Sequence, residues 1–242
     1  MALAIVDLAR GTKVTPLPPA PGSGFPSWNS DGTRVAFRRN ARPYSISADG
    51  SKDGGTIKYS NANDYPSSAG PAPDDLIMVR TATELGAEIY QFSLSGAYQP
   101  KALVSAPGYQ GGAQLSPDGR WLLYQSDETG RAEIYVRAYP ALDRAWQVSV
   151  GGGLQPRWGA GGRELYYRTG NPMVAVTLDG RGAVPVLGKP EVLFDQPFEY
   201  GQGISVANYD VLPDGRFVML RAEPGGAPFH VIRNWAESLK AR

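Results

Sequence analysis

The sequence predicts an all-β fold, a β-propeller of four-stranded antiparallel blades, and three observations carry that expectation. Gly and Pro number 30 and 21 among 242 residues, a turn content that helical bundles do not tolerate. Hydrophobic residues make up 42% and charged residues only 19%, which supplies a packed core and excludes a disordered chain. A turn-plus-strand motif also recurs, with Asp31, Asp74, Asp118, Gly161 and Asp214 marking turns 43, 44, 43 and 53 residues apart. A repeat of about 40–45 residues holding four short strands is the size of one propeller blade, which buries its apolar faces only against neighbouring blades.

The elements follow in order within each unit. An inner strand runs into the turn, and a second strand leaves it: Arg34-Val35-Ala36-Phe37, Leu76-Ile77-Met78-Val79, Trp121-Leu122-Leu123-Tyr124, Glu164-Leu165-Tyr166-Tyr167 and Phe217-Val218-Met219-Leu220. Third strands follow at Glu88-Ile89-Tyr90, Glu133-Ile134-Tyr135-Val136 and Val174-Ala175-Val176, with a weaker copy at His230-Val231-Ile232. Lys101–Val104, Trp146–Ser149 and Glu191–Phe194 close three of the units as fourth strands. These runs are rich in β-branched and aromatic residues and bounded by Asp-Gly and Gly-rich turns, as strands require. Between Arg42 and Gly70 the repeat is degraded, and Pro43–Ser47 reads as a poor third strand in an irregular blade. Asn234 caps a short tail helix ending at Lys240.

The whole chain, 1–242, reads as a single propeller domain. It starts on the third strand of a blade, at Ile5–Leu8, so the first blade is incomplete: a hairpin, four full units and three strands of a fifth make 21 strands. Six blades need three strands more. Either upstream sequence of a longer parent supplies them or the N-terminal hairpin closes a five-repeat ring. Unpaired edges would otherwise remain, an aggregation liability.

A net charge of +1 provides no basic face to gather nucleic acid or an anionic membrane. With no Cys, disulfides, thiolate catalysis and Cys-ligated metals are excluded. Met1–Arg10 lacks the pattern of a secretion signal, and no apolar run reaches the ~18–20 residues of a membrane span.

Catalytic signals are sparse. His230 is the only histidine, there is no G-x-S-x-G, and no motif supplies partners for a nucleophile. The recurring Asp of the turns is expected to bond its own backbone, as Asp in Asp-Gly turns does; Asp74-Asp75 and Asp127-Glu128 read as solvated loops. Gly111-Gly112 and Gly151–Gly153 lack the helix or Lys-Ser/Thr of a phosphate cradle and read as tight passages between units. The expectation is therefore a chain that is not an enzyme and needs no metal or cofactor. Loops on a rigid scaffold carry binding, and the candidate face is formed by residues at or just before the inner strands: Phe25, Tyr65, Tyr109, Gln110, Gln155, Arg157, Glu199 and Tyr200. Repeat-equivalent placement puts them at one mouth of the channel, where aromatics and Arg suit a partner interface. The insertion between Asp179 and Asn208 either overhangs that face or is a passive loop.

Gln114–Tyr124 followed by Ala132–Val136 resembles the PD40 repeat, the WD40-like unit of TolB-type propellers. More narrowly, Trp146–Ser149 with Gly151–Trp158, Tyr209–Phe217 and the ending Val231–Trp235 resemble the C-terminal propeller of bacterial receptor-type serine/threonine kinases. The resemblance spans nearly the whole chain. It implies a binding or scaffold module, the sensor part of a larger bacterial protein fused to a kinase or another domain, in an extracytoplasmic or periplasmic position. The partner implied is a protein or peptide, with a small ligand as the other choice; the alternative function is a propeller-type lyase or hydrolase acting in the axial channel.

Overall fold

The computed structural model describes residues 5–7, 12–14, 20–21, 24–49, 54–198 and 207–220. The expected tail helix, His230 and the last third strand lie outside the described residues. All regular structure among the described residues is β, and the chain divides into two compact units, Met1–Ala113 and Gln114–Arg242.

The first unit begins with the hairpin β1 (Ile5–Asp7) and β2 (Thr12–Val14). A four-stranded antiparallel blade follows: β3 (Gly24–Trp28), β4 (Arg34–Arg39), β5 (Arg42–Ser47) and β6 (Gly55–Thr56). Contrary to the expectation of a poor third strand, β5 pairs with β4 without a break from Arg34↔Ser47 to Arg39↔Arg42. Two local forces hold this register. Asn40 and Ala41 both have positive φ (49° and 58°), the geometry of a tight primed turn, and Tyr44 packs with Ile46 against Val35 and Phe37.

The second blade is β7 (Asp64–Ala69), β8 (Asp75–Thr83), β9 (Gly86–Ser93) and β10 (Lys101–Val104). The division between units falls within β11 (Gly108–Leu115). Its first residues lie parallel to the start of β9, with Gly108 opposite Gly86 and Tyr109 opposite Ala87. That approach requires glycine: Gly86 has φ +122°, and a Cβ there would stand 2.3 Å from the Gly108 carbonyl oxygen.

In the second unit β12 (Trp121–Ser126), β13 (Glu133–Ala138) and β14 (Ala145–Gln147) pair antiparallel in order. The next blade contains β15 (Leu154–Trp158), β16 (Glu164–Arg168) and β17 (Pro172–Asp179), and its fourth position is split. β18 (Val186–Leu187) pairs with the end of β17, and β19 (Glu191–Asp195) with its beginning. β20 (Tyr209–Val211) and β21 (Phe217–Met219) form the final antiparallel pair.

The middle strands are buried on both faces, which explains their nearly continuous apolar runs. In β4, Val35 and Phe37 enter one cluster while Ala36 enters another with Leu76, Met78 and Phe92. In β16, Leu165 and Tyr167 face Trp121, Leu123 and Ile134, whereas Tyr166 faces Phe194, Tyr209 and Phe217.

The turns behave as the sequence predicts with one exception. The amides of Thr33, Arg120 and Arg216 donate to Asp31, Asp118 and Asp214 at 2.9, 3.1 and 3.1 Å. Asp74 instead reaches across to the loop after β9, accepting from Ser93 Oγ (2.6 Å), Ser95 Oγ (2.7 Å) and the Ser95 amide (2.9 Å). Asp75 is no solvated loop residue either: it is buried and accepts from the Tyr98 hydroxyl at 2.5 Å.

Candidate functional site

The candidate residues fall into local groups at the starts of inner strands. In β3 and β15 a register shift marks a bulge, between Gly24 and Ser27 and between Leu154 and Arg157. The residue after the first position of each strand, Phe25 and Gln155, has φ 58° in both. The left-handed region is costly for side-chain-bearing residues and occurs where surrounding contacts over-determine it. The matching sequences Gly24-Phe25-Pro26-Ser27-Trp28 and Leu154-Gln155-Pro156-Arg157-Trp158 show why both strands bend alike.

In the first unit the bulge brings Phe25 and Tyr65 together. Their rings meet edge-on with centroids 5.0 Å apart, and the Arg38 guanidinium lies 4.1 Å above the Tyr65 ring. Arg38 is fixed there by Nη2 bonds to the carbonyls of Ala62 (2.7 Å) and Ala41 (3.1 Å), while its buried Nε has no hydrogen-bond partner among the described residues. Tyr109 is half-buried at the start of β11, and beside it Gln110 is buried, donating to the Pro107 carbonyl at 3.2 Å.

In the second unit Gln155 is buried in a set of backbone bonds. Its amide donates to Gln125 Oε1 at 2.9 Å, and its carbonyl accepts from the Tyr209 hydroxyl at 2.8 Å. Burial pushes the Tyr209 phenol well above its ordinary value, so it stays a neutral donor. Arg157 pairs with Asp210 (Nε to Oδ1, 3.7 Å), and the fully buried Arg168 lies opposite Leu154 in the ladder, its Nη2 3.4 Å from the Phe198 carbonyl. Glu199 and Tyr200 lie outside the described residues. Sequence reasoning missed Arg38, Arg168, Tyr209 and Asp210. Tyr209 was recoverable, because it opens the next inner strand; the arginines carry no local signal, since only strand pairing brings them to these positions.

A groove of about 990 Å³ occupies the other end of the same strands in the second unit. The turns at Asp118–Arg120 and Gly159–Arg163, the segment from Leu178 to Gly188, and Pro213 and Gly215 line it. Four residues of extended chain, about 13 Å, separate its Gly159 edge from Gln155. The first part of the insertion after Asp179 therefore flanks the turn end and not the expected face, because Trp121 Nε1 and Arg120 Nη2 donate to its carbonyls at Gly180 (3.2 Å) and Arg181 (3.2 Å).

No family model and no curated protein matches the sequence. Among solved structures the chain is similar to TolB from Acinetobacter baumannii, with a TM-score of 0.71 at 19% identity over 92% of this chain and 54% of that one. An oligogalacturonate lyase in complex with manganese gives a TM-score of 0.60 at 9% identity, covering 92% and 65% of the two chains. A nidogen/laminin complex gives 0.56 at 15% identity, covering 73% and 67%. The chain thus spans about half the length of the TolB it matches. The fold is that of a TolB-like β-propeller. The same likenesses overturn the expectation that the chain is not an enzyme: a lyase shares this fold, so the architecture and the missing sequence motif do not decide against catalysis.

Proposed function

We propose that this chain is one propeller domain that binds a protein or peptide partner through the starts of its inner strands. The observation that carries the reading is the Phe25–Tyr65–Arg38 arrangement, two aromatic rings and a half-buried arginine beside a bulge held in the left-handed region. Aromatic and arginine anchors of this kind dominate interface energetics. Tyr109 and Gln110 belong to the proposed binding residues of the first unit; Gln155 and Arg157 are the corresponding candidates of the second, where Glu199 and Tyr200 join them by sequence position. The nidogen/laminin complex supports the choice of a protein partner, since a similar fold occurs in that assembly. The resemblance to kinase-attached propellers extends the proposal to a sensor part of a larger, extracytoplasmic bacterial protein.

The test replaces Phe25 with a photo-crosslinking residue in the source cells, with Val192 of the outer strand β19 as the control position. A discrete adduct at 25, absent at 192 and lost on Tyr65→Ala, supports the reading. In the purified complex, Tyr65→Ala, Tyr109→Ala and Arg157→Ala weaken binding while the melting temperature holds. Unchanged binding in all three variants sinks the assignment.

A further inference from the structure

Four turns of this protein share one glycine-closed hydrogen bond and differ in one group. The amides of Gly32, Gly119, Gly162 and Gly215 donate to the carbonyls of Asn29, Ser116, Gly159 and Leu212 at 3.2, 2.8, 2.9 and 2.9 Å, and the four glycines have φ of +70°, +69°, +64° and +81°. In three of them an Asp one residue earlier accepts the amide of the residue after the glycine. In the fourth that Asp is Gly161. The amide of Arg163 therefore points where its counterparts meet a carboxylate and donates to nothing among the described residues. Its carbonyl is used normally, accepting from the Leu178 amide at 2.7 Å.

The Arg163 side chain likewise makes no hydrogen bond or ion pair among the described residues, although its charge helps to hold the Asp179 carboxyl down. Arg181, on the same groove, is held by Asp179 through Nε (2.9 Å) and Nη2 (2.6 Å), and Arg120 is spent on backbone carbonyls. The carboxylates on the wall are also occupied: Asp118 by Ser116 Oγ and the Arg120 amide, Asp179 by Arg181, and Glu164 by the Tyr166 hydroxyl at 2.7 Å. The turn of Asp214 shows what an arginine at this position does with a carboxylate. The Arg216 amide bonds Oδ1 at 3.1 Å while its Nε bonds Oδ2 at 2.7 Å, a charge-assisted two-point grip.

We propose that the Gly161–Arg163 turn is a binding site for a ligand carboxylate, which takes the place of the missing Asp and is gripped by the Arg163 amide and guanidinium. The groove gives the rest of such a ligand an apolar wall in Trp121, Tyr166 and Leu178. A Cβ on Gly161 would meet nothing within 4 Å, so the vacancy is open. This site lies at the opposite end of β15 from the surface in the proposed function and stands without it.

The experiment titrates the isotope-labelled chain at pH 7 with sodium acetate against sodium chloride at equal ionic strength, reading backbone amide shifts. Acetate moves the Arg163, Gly162 and Gly161 amides saturably, and chloride does not. Tripeptides with free or amidated C-termini, and an N-acetylated, C-amidated peptide carrying one Asp, then separate a terminal from a side-chain carboxylate as the source. Gly161→Asp restores the internal acceptor; it abolishes the acetate response and raises the melting temperature. Arg163→Gln, which keeps the amide, weakens the response several-fold. An equal shift with chloride, no shift with acetate, or an undiminished acetate response in Gly161→Asp overturns the proposal.

Discussion

The indole N–H of Trp121 donates to the carbonyl oxygen of Gly180, 3.2 Å away, and thereby ties a second strand of one blade to the loop of the next. The same ring packs edge-on against Trp146, with centroids 5.7 Å apart, so the tie is held from behind. Gly180 has no room for a side chain, because a Cβ would stand 2.2 Å from Trp121 Nε1.

Gly180→Ala is therefore expected to displace the loop and to destabilise the protein by about 1–3 kcal/mol, the usual cost of overpacking. Trp121→Phe retains much of the ring but loses the bond, costing on the order of 1 kcal/mol from the hydrogen bond alone plus lost packing. Urea unfolding with paired near-ultraviolet circular dichroism checks both. A neutral Gly180→Ala would show that the loop is not pinned.

Glu133 gives the protein an acid limit. Burial pushes its carboxyl up, but bonds from Ser149 Oγ, Arg131, and the amides of Gly152 and Gly151 outweigh it and hold the carboxyl below its ordinary value. A depressed folded-state value means that its stabilisation is present above the unfolded value, near 4.5, and is lost as pH falls through the folded one. Glu133→Gln is expected to cost about 1–3 kcal/mol at pH 7 and to flatten the stability profile below pH 4.5. Melting curves from pH 7 to 3 decide it.

Ala41 is the simplest stabilising target. It occupies a positive-φ position (58°) in the β4–β5 turn, next to Asn40 at 49°, where a side-chain-bearing residue costs about 1 kcal/mol relative to glycine. Ala41→Gly keeps the carbonyl that Arg38 uses and is expected to raise stability by roughly 0.5–1 kcal/mol. A loss of stability would place the turn in another conformation.

The turn aspartates are not equivalent. Asp74→Ala removes the acceptor for Ser93, Ser95 and the Ser95 amide, and is expected to cost about 1–3 kcal/mol. Asp31 accepts mainly from the Thr33 amide and hydroxyl in an exposed turn, and Asp31→Ala is expected to cost clearly less than Asp74→Ala. Equal costs for the two would contradict the cross-loop role of Asp74.

The repeated Glu-Ile-Tyr of the third strands shows where sequence reading stopped. It located the strands at Glu88 and Glu133 correctly, yet both glutamates are buried latches, bonded by Ser105 and Ser149 beyond the fourth strand. The signal was the Ser that follows Val104 and Val148 in both units. Its meaning depends on the strands being paired.

The sequence alone determined the blade: short apolar runs, Asp-Gly turns and the repeat period act over a few residues, where local sterics and turn chemistry choose the conformation. It also marked Phe25 and Gln155 as equivalent positions through their shared Pro and Trp neighbours. Tertiary structure alone decided which side chains meet. Arg38 over Tyr65, Tyr209 on Gln155, the split fourth strand of β18 and β19, and the groove at the turn end join residues distant in sequence. Such contacts depend on how paired strands stack, and the burial that fixes the stacking is non-directional until shape and hydrogen bonding select one register.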